Sequence, residues 1–281
     1  NVIGSNGSNG VRVFGAKARS NRIVGNLIGT AADGVTPRGN GQKGIWLMAP
    51  ENLVGGPANG EGNVVAMSQQ AGLVFQGPNG HGNVVQGNFI GTNRSSVSSL
   101  PNSRFGVRVL RAGGNLIGGT GAGEGNVIAL NGSSGVVVED STGVAILGNS
   151  IWGNFELGID LLPPRGANPT DSGDNETGAN GLQNFPVLEG ATVSGLIRGV
   201  LKSQPNLTYR IELFLNPMCD GSGRGEGEIF KGHLLVTTDN SGHASFQRLV
   251  DPAGVGVFVA TATSPSNNTS EFSRCLPKGT S

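Results

Sequence analysis

The segment Asn21–Thr30, NRIVGNLIGT, returns at Asn83–Thr92 as NVVQGNFIGT. Asn52–Ala66, NLVGGPANGEGNVVA, returns after nearly the same offset at Asn115–Ala129 as NLIGGTGAGEGNVIA. Self-similarity at a fixed spacing is the signature of a repeat architecture, in which each unit buries its apolar face against its neighbours. A finer period lies inside this unit. Six times a glycine precedes a short apolar run, at intervals that alternate longer and shorter: Gly10-VRVF, Gly44-IWLM, Gly72-LVFQ, Gly106-VRVL, Gly135-VVVE and Gly158-IDLL. The first residues after glycine are Val11, Ile45, Leu73, Val107, Val136 and Ile159, and the third are Val13, Leu47, Phe75, Val109, Val138 and Leu161. All are apolar. The second position is mixed: Arg12, Trp46, Val74, Arg108, Val137 and Asp160. Side chains alternate faces along a strand, so the first and third positions point into a core and the second points out of it.

Hairpins do not account for this pattern, because antiparallel neighbours are joined by short turns. Helical crossovers fail as well, since no stretch between the runs carries a 3.6-residue apolar stripe. What remains is a solenoid whose coils stack strand on strand at about 4.8 Å per coil, about 29 Å for six coils. Asn21, Asn26, Asn52, Asn63, Asn83, Asn88, Asn115, Asn126 and Asn149 recur before or inside the apolar runs. Asparagine tolerates the left-handed conformation of tight corners, and its amide can both donate to and accept from adjacent coils. These residues are expected to be structural.

Composition agrees with this architecture. The 281 residues include 50 glycines, without a collagen period, beside many short Val, Ile and Leu runs, which excludes collagen and a disordered linker. Nineteen basic and nineteen acidic residues leave no net charge and argue against nucleic acid as a partner. No run of about 18 apolar residues is present, so membrane insertion is not expected. Asn1 opens inside a repeat with no signal peptide before it, so the sequence is expected to be a mature product or a fragment lacking earlier coils. The two cysteines, Cys219 and Cys275, either pair or remain free thiols. A bond between them would contribute roughly 4 kcal/mol in the chain-entropy model and imply an oxidising compartment.

From about Gln183 the repeat stops and longer alternating stretches follow: ATVSGLIRGVL, TYRIELFLN, GHLLVTTD, ASFQRLV, VGVFVATATS and SEFSRCL. Turn signals such as Asp239-Asn240-Ser241-Gly242 separate them. Six or seven strands in this length suit an immunoglobulin-like β-sandwich. The division expected is a β-helix over residues 1–186, with an acidic capping loop at about 156–186, and a sandwich over 187–281. The sandwich is expected to cover the open end of the last coil, where core and strand edges would otherwise be exposed.

The motifs GNLIGT, GNFIGT, IGGTGAGEGNVIA and GIDL…TDSGDNETGANGLQNFPVL resemble a group of secreted bacterial parallel β-helix repeat proteins of the pectate-lyase-like superfamily, over nearly all of residues 1–188. The resemblance implies an all-β fold, a right-handed parallel β-helix followed by a small antiparallel β-sandwich, and an extracellular or cell-surface location. The wording TYRIELFLNPMCDGSGRGEGEIFKG…ATATSPSNNTSEFSRC resembles a module that closes such surface proteins, and in that pattern Cys219 and Cys275 pair.

Two places can carry chemistry. Asp160, Asp171, Asp174 and Glu176 lie close together in sequence among Gly and Asn. Calcium favours several oxygens on a flexible loop, which makes Asp171, Asp174 and Glu176 candidate metal ligands, although the spacing matches no EF-hand. A solvated capping loop and a catalytic carboxylate pair are the alternatives. The second place is the outward column. A Trp among Arg and Asp can stack on and hydrogen-bond a sugar, so Arg12, Trp46, Arg108 and Asp160 are candidate polysaccharide or cell-surface glycan ligands. Two insertions, Ala31–Lys43 and Asn93–Phe105, lengthen alternate coils and are expected to flank this column. A complete enzyme motif is absent: Gly80-His81-Gly82 stands alone as a turn, and the three histidines form no metal spacing. The leading expectation is a non-catalytic glycan-binding or adhesion scaffold. The rivals are a polysaccharide lyase or glycoside hydrolase using Asp160, Arg108 or Asp174, and a structural spacer.

Overall fold

In a computed structural model, which describes residues 1–171 and 173–279, the repeat region forms three stacked parallel sheets. The first comprises Val2–Ile3, Leu27–Ile28, Val64–Val65, Phe89–Ile90, Val127–Ala129 and Ser150–Trp152. The second holds the six glycine-led strands, Val11–Phe14, Ile45–Met48, Leu73–Gln76, Val107–Leu110, Val136–Glu139 and Ile159–Leu162. The third comprises Arg22–Ile23, Leu53–Gly55, Val84–Gln86, Leu116–Gly118 and Ala145–Leu147. Successive coils thus add one strand at a time to each sheet, and the fold is a parallel β-helix.

Register follows the alternation. Val107 pairs with Leu73 and Val136, and Val109 with Phe75 and Val138. All six are fully buried and share one core with Ile28, Val54, Val85, Ile117 and Ile128 from the other two sheets. Burying each such side chain contributes about 1.5–3 kcal/mol. Close stacking also dictates particular glycines. Gly118 has φ +87°, and a Cβ there would lie 1.9 Å from the Leu147 carbonyl oxygen of the next coil.

The asparagines form ladders. Asn26, Asn63, Asn88, Asn126 and Asn149 run along the corner before the first sheet. In each step the backbone and side-chain N–H of one residue donate to Oδ1 of the next, as from Asn63 to Asn88 at 3.0 and 2.8 Å. Asn21, Asn52, Asn83 and Asn115 form a second ladder before the third sheet. None of the nine takes a positive φ, contrary to the expectation from tight corners. The left-handed residue is the one before: Ser20, Glu51, Gly82 and Gly114 in the second ladder. The bend there leaves each asparagine free to aim its N–H groups along the stack. A third ladder runs Asn102–Asn131–Asn154 before the second sheet.

Two antiparallel sheets follow. One orders Val187–Ala191, Leu196–Lys202 and His243–Leu249; the other orders Ile229–Thr237, Thr208–Asn216, Val257–Thr263 and Leu276–Pro277. Ile197, Tyr209, Ile211, Phe246 and Phe258 lie in the core between them. The stretch SEFSRCL, expected as a strand, is mostly irregular. Ser270 and Ser273 flank the strand edge, their hydroxyls accepting from the Ala262 and Ala260 amides at 3.0 Å each. This releases Glu271 and Phe272 toward the coil end. Cys219 and Cys275 form a disulfide.

The second unit closes the last coil, as expected, with three glutamates, one to each corner or strand. Glu212 accepts from the Gly148 amide at 2.9 Å beyond the third sheet. Glu226 accepts from the backbone and side chain of Asn154, ending the third ladder. Glu271 accepts from the amides of Leu161, at 3.1 Å, and Asn168, at 2.8 Å. Phe214, Val259 and Phe272 complete the helix core from the sandwich side.

Burial pushes Glu226 and Glu271 up to about 7, against the N–H donors that favour their charged forms. A carboxyl whose pKa is raised on folding makes the native state bind more protons, so its stabilising effect is full below the unfolded value of about 4.5 and declines as pH rises through about 7. Thermal unfolding across this window is expected to show a melting temperature that falls with rising pH. Glu226→Gln with Glu271→Gln should flatten that slope, and an unaltered slope would place its origin elsewhere.

Candidate functional site

The second-position column is in register from Arg12 through Trp46, Val74, Arg108 and Val137 to Asp160. It is not uniformly exposed, which corrects the reading of a continuous open surface. Val74 and Val137 are buried under Ala71 and Phe105 in a small apolar cluster outside the coil, with Trp46 and Leu162 at its edge. Phe105 comes from the end of the second insertion, so a loop covers what alternation alone leaves open. Asp160 is 1% exposed beneath the chain around Arg165 and Gly166.

The insertions also lie elsewhere than expected. Their tips are closed by the bridges Thr30↔Pro37 and Thr92↔Ser99 and share a groove with Leu27 beside the first sheet. Leu100 is drawn there by Val64 and Ala66. Only the insertion ends, Lys43 and Arg104–Phe105, reach the second sheet.

Those ends build a basic, aromatic patch. The Lys43 ammonium lies 4.2 Å from the Trp46 ring centre, and the Arg12 guanidinium 4.7 Å from it. Arg12 also sits 4.9 Å from the ring of Phe14, which is 64% exposed. Arg104 and Arg108 lie 5.3 and 5.8 Å from the Phe105 ring. Such cation–π contacts hold the cations in place without neutralising them. Trp46 Nε1–H donates to Gln76 Oε1 at 3.0 Å, which fixes the indole. Arg108 pairs with Glu139, its Nε at 3.2 Å from Oε2. Among the described residues Arg12, Lys43 and Arg104 make no ion pair. The Lys43 ammonium is pushed below its usual range by desolvation, then by the charges of Arg108 and Arg12.

Lys43, Gln76, Phe105 and Glu139 do not emerge from the sequence reading, nor does Arg104 as part of a binding patch. A signal for two of them is present: in both lengthened coils a basic residue stands one or two places before the strand-opening glycine, as Lys43-Gly44 and Arg104-Phe105-Gly106.

The structure does not gather Asp160, Arg108 and Asp174. Asp160 stands two coils from Arg108, about 10 Å along the stack. Asp174 accepts from Ser203 Oγ–H, Gln183 Nε2–H and the Asn184 amide, and so fastens the acidic loop to the sandwich. Burial raises it to about 6 despite these donors. Asp171 accepts from the Asp174 amide at 3.0 Å, and desolvation followed by a shared hydrogen bond with Asp171 raises Glu176. Among the described residues no group of three His, Cys, Asp or Glu side chains is arranged to hold a metal ion. No family model matches the chain, and no curated protein matches it.

Proposed function

We propose that the chain is an extracellular, non-catalytic glycan-binding or adhesion scaffold whose glycan is anionic. The observation that carries this reading is the patch of Arg12, Lys43, Arg104 and Arg108 on Trp46, Phe14 and Phe105, with Glu139 the single carboxylate paired to it among the described residues. Arg12 and Arg108 are three coils apart, about 14 Å along the stack, a span suited to a chain of uronate or sulfated sugars lying across the strands. Cations held over aromatic faces present charge and a flat apolar platform together, the two features an acidic sugar offers in complement. The disulfide is compatible with an oxidising, secreted setting.

The test is binding to polygalacturonate, alginate and heparin, with dextran as the neutral control. Salt-sensitive binding to the anionic chains is expected, weakened about tenfold or more by Arg12→Glu with Lys43→Glu. Equal binding to dextran, or an unaffected double variant, would overturn the proposal. Depolymerisation is followed in the same samples. Turnover that disappears in Asp160→Asn or Arg108→Ala would replace the scaffold reading with that of a lyase or hydrolase.

A further inference from the structure

At the seam between the last coil and the sandwich, a cavity of about 540 Å³ is lined by Phe155, Glu156, Asp160, Arg165, Asp220 and Ser222, among others. Its volume lies within the range of small-molecule sites. Three of these residues are carboxylates and one is a guanidinium. Asp160 is 1% exposed, yet only its Oδ2 accepts a hydrogen bond from a side chain, Ser134 Oγ–H at 3.3 Å; Oδ1 is buried without a partner. The Gly166 amide lies near enough to favour the charge, but desolvation outweighs it and raises the group. Asp220 repeats the pattern. Its Oδ1 accepts from the amide and hydroxyl of Ser222, while Oδ2 is buried without a partner. Glu156 accepts from Ser133 and lies 3.4 Å from Arg165. Phe155, 82% exposed, stands at the rim.

A buried acceptor without a donor costs free energy, and two of them line this one cavity. Both are answered by a ligand that brings N–H or O–H donors. The excess of carboxylate over guanidinium selects a cation. A bare metal ion is disfavoured because the carboxylates do not converge on one point. An ammonium carries three donors on a compact centre, and an exposed phenyl ring attracts it through the ring face. The mixture of Phe155, Leu157, Ser222 and the backbone of Gly166 and Gly221 suits a hydroxylated ring with one polar edge and one apolar face.

We infer that this seam cavity is a binding site for a protonated amino sugar, its ammonium directed at Asp160 and Asp220 and its ring set against Phe155. The site is separate from the basic patch and opposite in charge, so neither depends on the other.

The experiment is a titration of the intact chain with D-glucosamine, followed by amide NMR shifts, with N-acetylglucosamine and glucose as matched neutral sugars. Glucosamine is expected to move the signals of Gly166, Ala167 and Gly221. Asp160→Asn and Asp220→Asn are each expected to weaken binding about tenfold, the worth of one charge-assisted hydrogen bond. Arg12→Glu with Lys43→Glu should leave it unchanged, so failure here is distinct from failure of the anionic-glycan reading. If Asp160→Asn does not fold, Asp220→Asn on the cavity's other wall decides. Absent shifts with glucosamine, or equal affinity for N-acetylglucosamine, would overturn the inference.

Discussion

Glu226→Ala combined with Glu271→Ala is expected to destabilise the chain by about 6 kcal/mol, from roughly 2 kcal/mol for each of three buried amides left without an acceptor, and to uncouple the sandwich from the last coil. The two carboxylates accept from the backbone amides of Asn154, Leu161 and Asn168, and alanine offers none of them a replacement. The side-chain amides of Asn154 and Asn168 lose one partner but keep the carbonyls of Ile128 and Leu161. Denaturant unfolding followed by circular dichroism should show a lower midpoint and a transition split into two steps. Glu226→Gln keeps an acceptor oxygen for Asn154 and should remain close to the parent chain, whereas Glu271→Gln offers one oxygen to the two amides of Leu161 and Asn168 and should lose part of the difference. An unchanged midpoint in the double alanine variant would mean that water replaces both acceptors and that the closure is apolar.

Val109→Asp is expected to abolish folding. Val109 is fully buried and stacks between Phe75 and Val138, in register on both sides. A carboxylate there has no donor within the apolar core, and burying an unpaired charge costs more than the roughly 5–15 kcal/mol by which a domain is stable. Arg108→Asp, one residue away but outside the coil, should fold. Expression and cooperative melting distinguish the two. A soluble, cooperatively melting Val109→Asp protein would overturn the assignment of inward and outward faces.

The β-helix is legible in the sequence because its period is local and its core is apolar. Six glycine-led runs with apolar first and third positions give the second sheet and its register directly, and the duplicated asparagines give two of the three ladders. The third ladder escapes that reading because Asn102 lies in an insertion, and Asn131 and Asn154 stand several places before their strands. The glutamates that close the coil are equally invisible. Glu271 and Leu161 are 110 residues apart, and no local pattern marks a carboxylate as the acceptor for a distant amide. The column shows the same limit from the other side. Alternation places Asp160 outside the coil, but burial there depends on what the chain around Arg165 covers, a tertiary fact. Lys43 and Arg104 are within reach of inspection, but a rule about strand positions passes over the residues leading into them.

The ladders have a direction. Within each ladder an asparagine hands N–H groups forward to the Oδ1 of the next, so the row from Asn102 through Asn131 to Asn154, running toward the sandwich, must finish on a group that receives. Glutamate meets that requirement, and the sandwich therefore fits one end of the stack and not the other. Nothing in the seam registers how many coils came before it. The duplicated unit behaves as a cassette: one copy added or removed would change the reach of the molecule by two coils, about 10 Å, while the terminal fitting stays the same. Length and closure are thus separable properties in this chain, open to independent variation.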